Sequence, residues 1–236
     1  MRLLLWRHGR TTWNDVGRFQ GHADPPLDAT GRAQVAAVAP IIRAMRPDVV
    51  VSSDLQRCRD TAAGLGLPFR SDARLREIDL GLWSGLTGTE AADRFPEEDR
   101  AWRRGDDVRR GGGETYREVA RRAGEVFDEI RAERQPSGPS GPSGLVVFVL
   151  HGGTARSLIG HVLGLPPELW WHFGPLANCR WSVLRHVEGG YRLAEHNAGP
   201  LLAGKVGSAG SGLSESLLPS QGAPTESDTE PVHLPK

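Results

Sequence analysis

Three short, uninterrupted apolar runs constrain this chain more than any other feature. They are Arg2 to Trp6, Asp48 to Val51 and Leu145 to Leu150, each rich in Leu or Val and bounded by polar, Gly or Pro residues. Their length suits strands, and continuous rather than alternating apolar character suits parallel strands covered on both faces. Between them the period turns helical. Val35, Val38, Ile42 and Met45 recur at helical spacing, with Pro40 expected to kink or restart that helix because it lacks an N–H and crowds the preceding turn. Tyr116, Val119, Ala120, Ala123, Val126, Phe127 and Ile130 mark the clearest amphipathic helix. Alternating strands and helices predict crossover units, an α/β fold with layers of helix on a mostly parallel sheet.

After the third run, Thr154 to Leu163 reads as a helix, and Arg180 to His186 with Tyr191 to His196 as a hairpin around Glu188-Gly189-Gly190. Pro-Ser-Gly is spelled three times from Pro136 to Gly144. This repeat reads as a surface loop rather than a domain boundary, because the strand after it is needed to finish the sheet. Beyond Ala203 there is no aromatic residue and much Ser, Gly, Pro and acid, a composition expected to be disordered. The chain of 236 residues therefore reads as one domain over residues 1–203 with a tail over residues 204–236.

Charge excludes one class of partner. Lys+Arg and Asp+Glu are 29 each, a net charge of zero, which argues against a nucleic-acid or anionic-membrane binder working through a general basic surface. The total hides an asymmetry. Lys occurs only at Lys205 and Lys236, and with Glu215, Glu226, Asp228 and Glu230 this makes the tail net −2 and residues 1–203 net +2, with Arg as their only basic side chain besides His. Arg grips phosphate in bidentate fashion, so position must decide which of them matter. Cys58 and Cys179 are the two cysteines; they cannot form a disulfide framework, and they read as small apolar residues in a reducing compartment. The opening apolar run stops at Arg7, too short for a secretory signal, and no stretch approaches the ~18 apolar residues of a membrane span. A soluble cytoplasmic protein is expected.

The chemistry gathers at strand ends. Arg7-His8-Gly9 follows the first run, Ser52-Ser53-Asp54-Leu55-Gln56-Arg57 follows the second, and His151-Gly152-Gly153-Thr154 follows the third. Ligands of open parallel sheets sit beyond the carboxyl ends of the strands. Arg7, His8, Arg57 and His151 are thus predicted to converge on one edge, although Arg57 alone reads equally well as a solvated helix residue, and His151 as a satisfied strand-end histidine. Ser or Asp is expected to cap the helix carrying Arg57. Gly9, without Cβ, allows close approach of ligand or backbone. Four potential cations without matching acids suit a multiply charged anion, with phosphate the natural candidate. A neutral imidazole is a nucleophile near neutral pH, which suits His8 to attack on phosphorus while the other three stabilise the transferring oxygens. Glu77 is the best proton donor for the leaving alcohol, with Asp79 the second choice.

Other site classes find no support. There is no His-Glu-x-x-His, no clustered Cys/His and no Gly-rich nucleotide cradle after the first strand, so neither metal nor cofactor is expected. Gly111-Gly112-Gly113-Glu114-Thr115 marks the start of the long helix. The seven Trp read mostly as core, with Trp13 or Trp83 as candidates for lining the site.

The motif series resembles a known family. Arg7-His8-Gly9, Thr11, Trp13, Asn14, Arg18-Phe19-Gln20-Gly21, Asp24, Pro26-Leu27, Gly31 and Gln34 are similar to the opening of the histidine phosphatase, or phosphoglycerate mutase-like, superfamily. Ser52 to Arg57, Leu75-Arg76-Glu77, Gly81 to Gly85, Gly112 to Thr115 and His151-Gly152-Gly153 resemble its later motifs in order. The resemblance implies a three-layer α/β/α sandwich, a phosphohistidine at His8, and a phosphoryl group held by Arg7, Arg57 and His151 with Gly152. It implies Glu77 as proton donor and then base, Asn14, Gln20 and Gly21 as pocket lining, and no metal. Arg10 departs from the family pattern, and its charge is expected to bear on substrate choice.

The mutases of this family follow the catalytic Glu with Arg-His-Tyr-Gly and then a Lys, which hold the second charged end of a bisphosphate. Here Ile78-Asp79-Leu80-Gly81 follows, and no Lys precedes Lys205. The chain therefore looks more like the small-molecule phosphatases, among them those for α-ribazole phosphate, phosphoserine and glucosyl-3-phosphoglycerate. The expected partner is a small phosphorylated metabolite. The alternatives are a bisphosphoglycerate-dependent mutase and a non-catalytic phospho-ligand sensor, the latter disfavoured because binding needs neither nucleophile nor acid. Thr87 to Gly113 is expected to cap the site.

Overall fold

The three apolar runs become adjacent strands of one six-stranded sheet. A computed structural model describes residues 1–134 and 143–200. The elements run β1 (Arg2–Arg7), α1 (Thr12–Asp15), α2 (Ala29–Ala44), β2 (Val49–Ser52), α3 (Gln56–Ala63), β3 (Arg70–Ser71), α4 (Gly88–Arg94) and α5 (Pro96–Arg103). There follow α6 (Tyr116–Glu133), β4 (Leu145–Leu150), α7 (Gly152–Val162), β5 (Trp181–Val187) and β6 (Gly190–Ala198). Strand order is β3-β2-β4-β1-β5-β6. The first four are parallel and the last two antiparallel, with Leu4 opposite Val147 on one side and Val183 on the other. The expected hairpin is β5–β6, and β5 extends the sheet by pairing with β1.

Alternation along β1 makes the layers. Leu3 and Leu5 enter one core with Phe148, Val126, Phe127 and Leu158, under α6 and α7. Leu4 and Trp6 enter the other with Val38, Ile42, Val147 and Cys58, under α2 and α3. All six residues of β4 are buried, as the central place of that strand requires. The fold is thus a three-layer α/β/α sandwich. A third cluster, of Phe19, Ile78, Leu80, Trp83, Trp102 and Val119, joins α4 and α5 to the strand ends.

Two local expectations are corrected, and one short strand carries no sequence signal. Pro40 does not restart α2, which runs unbroken from Ala29 to Ala44. The proline lies on the exposed side while Val35, Val38, Ala39 and Ile42 pack beneath, so tertiary packing overrides the lost hydrogen bond. The helix carrying Arg57 has no local Ser or Asp cap. Asp24 takes that role from a distant turn, accepting from the Gln56 amide at 2.6 Å, while Asp54 turns away to Arg76 at 2.6 Å. The two-residue β3 has no apolar signature and follows from pairing with β2 alone.

The Pro-Ser-Gly repeat up to Pro142, and the tail from residue 204, lie outside the described residues. Among the described residues no helix is long and apolar enough to cross a membrane.

Candidate active site

Parallel strands bring their carboxyl ends to one edge, and β1, β2 and β4 deliver Arg7, His8, Ser53 and His151 there. The His8 amide continues the ladder, donating to Leu150 at 3.0 Å. Gly9 is needed by the backbone, not by a ligand: a Cβ there would stand 2.7 Å from the Gly31 carbonyl oxygen. The resulting cleft has about 700 Å³ of free volume including its open mouth. Arg7, His8, Asn14, Gln20, Gly21 and Arg57 line it, and Glu77 with Gly152 completes the predicted set at its wall. His151 stands one layer deeper, fully buried, with its ring centroid 5.1 Å from that of His8.

The tautomer of His8 follows from its partner. Nδ1 lies 2.8 Å from the Gly9 carbonyl oxygen, which can only accept, so Nδ1 carries the proton and Nε2 keeps its lone pair. Burial, then the charges of Arg57 and Arg7, push the His8 pKa well below its ordinary value of 6.5. Burial, Arg57 and His8 do the same to His151, whose Nε2 is 3.0 Å from Ser53 Oγ. The four potential cations are therefore two, Arg7 and Arg57, beside two neutral imidazoles.

Nor is Arg57 without an acid. Arg57, fully buried, donates to Gly21 O at 2.9 Å and Ala23 O at 2.6 Å, and pairs with Asp24 at 3.2 Å. Arg7 donates to Leu176 O at 2.5 Å. Both keep a buried Nε–H with no partner, the kind of donor that a bound anion satisfies. Asn14 offers a donor too: its Oδ1 accepts from the Thr11 amide at 3.1 Å, which leaves its NH2 group for the cleft.

Glu77 sits on the N-terminus of α7. Oε2 accepts from the Gly153 amide at 3.1 Å, and Oε1 from the amides of Thr154 and Ile78, each at 3.0 Å. Its backbone is held as firmly. Arg122 of α6 donates to the carbonyls of Arg74, Arg76 and Glu77 at 2.6, 2.7 and 2.9 Å, and is itself held by Glu114 at 2.8 Å. Glu114 also accepts from the Asp79 amide at 2.9 Å. Asp79, the second-choice acid, caps the turn at Gly81 instead.

Cys58 rests with Sγ 3.3 Å from His151 Nε2, and burial pushes its thiol pKa up, so it is an inert thiol. Among the described residues no three His, Cys, Asp or Glu side chains are grouped to hold a metal.

The chain has relatives among known proteins. A profile of the histidine phosphatase superfamily (branch 1) matches residues 3–199. The chain belongs to the histidine phosphatase superfamily. A glucosyl-3-phosphoglycerate phosphatase of Mycolicibacterium vanbaalenii is 39% identical over 189 residues, 78% of this chain and 83% of that protein. Phosphoserine phosphatase 1 of Hydrogenobacter thermophilus is 32% identical, over 80% of this chain and 87% of its own. A mycobacterial glucosyl-3-phosphoglycerate phosphatase solved with VO3 superposes with a TM-score of 0.77 at 37% identity, covering 84% of this chain and 99% of that one.

Around this histidine phosphatase centre lie residues the sequence did not single out. Trp102, Arg110, Tyr116 and Arg156 also line the cleft. The first two come from the segment expected to cap the site. Trp83, a candidate lining residue, is instead fully buried against Phe19 and Trp102. Arg10, expected to bear on substrate choice, is not on the cleft wall: its guanidinium pairs with Asp15 and Asp28. Missing basic residues after Glu77 do not leave the cleft with only the His8 cations, because Arg110 and Arg156 arrive from other elements.

Proposed function

We propose that this histidine phosphatase hydrolyses a small phosphomonoester through a phosphohistidine at His8, without metal, in the cytoplasm. The observation that carries this is the pairing, in one cleft, of an imidazole with a free Nε2 lone pair and a carboxyl group seated on a helix N-terminus. Nε2 attacks phosphorus; the N–P bond forms as the P–O bond to the alcohol breaks, and Glu77 gives that oxygen a proton. Water then attacks phosphorus as the N–P bond breaks and returns its electron pair to Nε2, Glu77 takes the water's proton, and inorganic phosphate leaves with His8 restored. Arg7, Arg57 and His151 hold the equatorial oxygens, aided by Asn14 and the Gly152 region, and stabilise the charge that builds there. Gln20 and Gly21 complete the wall, Gly21 through its carbonyl on Arg57. Two free cysteines suit a reducing compartment.

Glucosyl-3-phosphoglycerate is the first substrate to test, since relatives named for it are 38–39% identical, and phosphoserine the second. Phosphate release is measured over a panel of metabolite phosphomonoesters and p-nitrophenyl phosphate. Release from none of them overturns the reading.

A further inference from the structure

Four guanidiniums lining the cleft have a buried Nε–H without a partner: Arg7 and Arg57 beside His8, and Arg110 and Arg156. One phosphoryl group accounts for the first two. The second two have no counter-ion among the described residues. Arg110 is 3% exposed, and its one hydrogen bond reaches the Tyr116 hydroxyl at 3.3 Å. The guanidinium of Arg156, one turn into α7, makes neither hydrogen bond nor ion pair with the described residues. By contrast, Arg18 at the same cleft is paired with Glu90 at 2.9 Å.

Aromatic rings hold the unpaired guanidiniums in place. Arg110 lies 5.2 Å from the ring centroids of both Trp102 and Tyr116. Arg156 lies 4.7 Å from that of Trp171 and 5.9 Å from that of Tyr116. One phenol thus sits between two cations. Burial alone would raise its pKa, yet Arg110 and then Arg156 outweigh burial and lower it. Stacking fixes the planes of the guanidiniums and leaves their N–H edges open, but it replaces only part of the lost hydration. A fixed, partly dehydrated cation pair without a counter-ion among the described residues, in a ligand cleft, is preorganised for an anion.

We infer that Arg110 and Arg156 form a second anion subsite, which takes a carboxylate carried on the same small molecule as the phosphoryl group. This rests on the phosphoryl site proposed above and narrows it to acidic phosphomonoesters such as phosphorylated hydroxy acids. Two anchors also orient the substrate: with the carboxylate on Arg110 and Arg156, the ester is presented to His8.

The test is competition against p-nitrophenyl phosphate hydrolysis by 3-phosphoglycerate and by glycerol 3-phosphate, which differ in carboxylate against hydroxymethyl. The wild-type Ki for 3-phosphoglycerate is expected to be at least about tenfold lower, from charge-assisted bonds. In R110Q and R156Q that ratio falls toward one. The guanidinium of Arg156 makes no hydrogen bond with the described residues, so R156Q keeps the measurement available if R110Q fails to fold. Equal Ki values in the wild type, or a ratio retained in R156Q, overturns the subsite while leaving the phosphatase reading intact. A third competitor, 2,3-bisphosphoglycerate, separates carboxylate from phosphate: the proposal expects it to bind no more than about threefold more tightly than 3-phosphoglycerate, and tighter binding overturns the carboxylate assignment. Absence of any p-nitrophenyl phosphate hydrolysis instead overturns the phosphatase reading; calorimetric titration with the same pair then still tests the subsite.

Discussion

His8 Nδ1 donates to the carbonyl oxygen of Gly9 at 2.8 Å. The residue that lets the chain turn away from β1 also sets the imidazole tautomer, so nucleophilic capacity and strand exit are one local structure. Burial between Arg7 and Arg57 then keeps the ring unprotonated.

His8→Ala abolishes detectable phosphate release from p-nitrophenyl phosphate, and rapid alkaline quench of the wild type with labelled substrate traps a base-stable, acid-labile phosphoryl group on the chain. Turnover by His8→Ala at the wild-type rate would exclude His8 as nucleophile.

Glu77→Gln slows turnover by about 10²–10⁴. Gly153→Ala separates position from chemistry: its Cβ would stand 2.7 Å from Glu77 Oε1, displacing the carboxylate, while Ala in place of Gly in a helix favours folding. Expected is a kcat loss of about 10²-fold with an undiminished thermal midpoint. An unaltered kcat would show that the Glu77 position does not matter.

Because the folded pKa of His8 is depressed below 6.5, the nucleophile stays neutral as pH falls through that value. The acid limb of kcat/KM lies well below 6.5, and Arg57→Met, which removes the largest charge acting on His8, moves it upward. Stability follows the same groups. Below 6.5 the unfolded chain binds protons at His8 and His151 that the folded chain refuses, so stability is full above that pH and declines as pH drops toward the depressed values. A pH–rate profile with its acid limb at or above 6.5 contradicts the first expectation, and a thermal midpoint that rises on acidification contradicts the second.

Arg122→Met removes the donor to the carbonyls of Arg74, Arg76 and Glu77 and leaves Glu114 without its cation. Stability falls by about 2–3 kcal/mol, and kcat falls at least about tenfold while KM stays within about threefold, since Arg7 and Arg57 are untouched. Equal losses in kcat and 1/KM would mean that Arg122 acts on the whole cleft, not on Glu77.

What the sequence determined by itself was whatever is local or periodic. The apolar runs marked β1, β2 and β4 to within a residue, because a strand buried on both faces admits nothing else. The residues at the ends of those runs, Arg7, His8, Arg57 and His151, marked one edge, because parallel strands point the same way. Tertiary structure decided what depends on neighbours distant in the chain. Asp24 caps α3 across 32 residues; Arg122 ties α6 to the Glu77 turn; Arg110, Tyr116 and Arg156 meet only when α6 and α7 pack together over the sheet. Protonation was decided there too: a histidine or arginine code says nothing of desolvation, and burial holds His8 and His151 neutral, while Arg110 and Arg156 keep buried Nε–H groups without a partner.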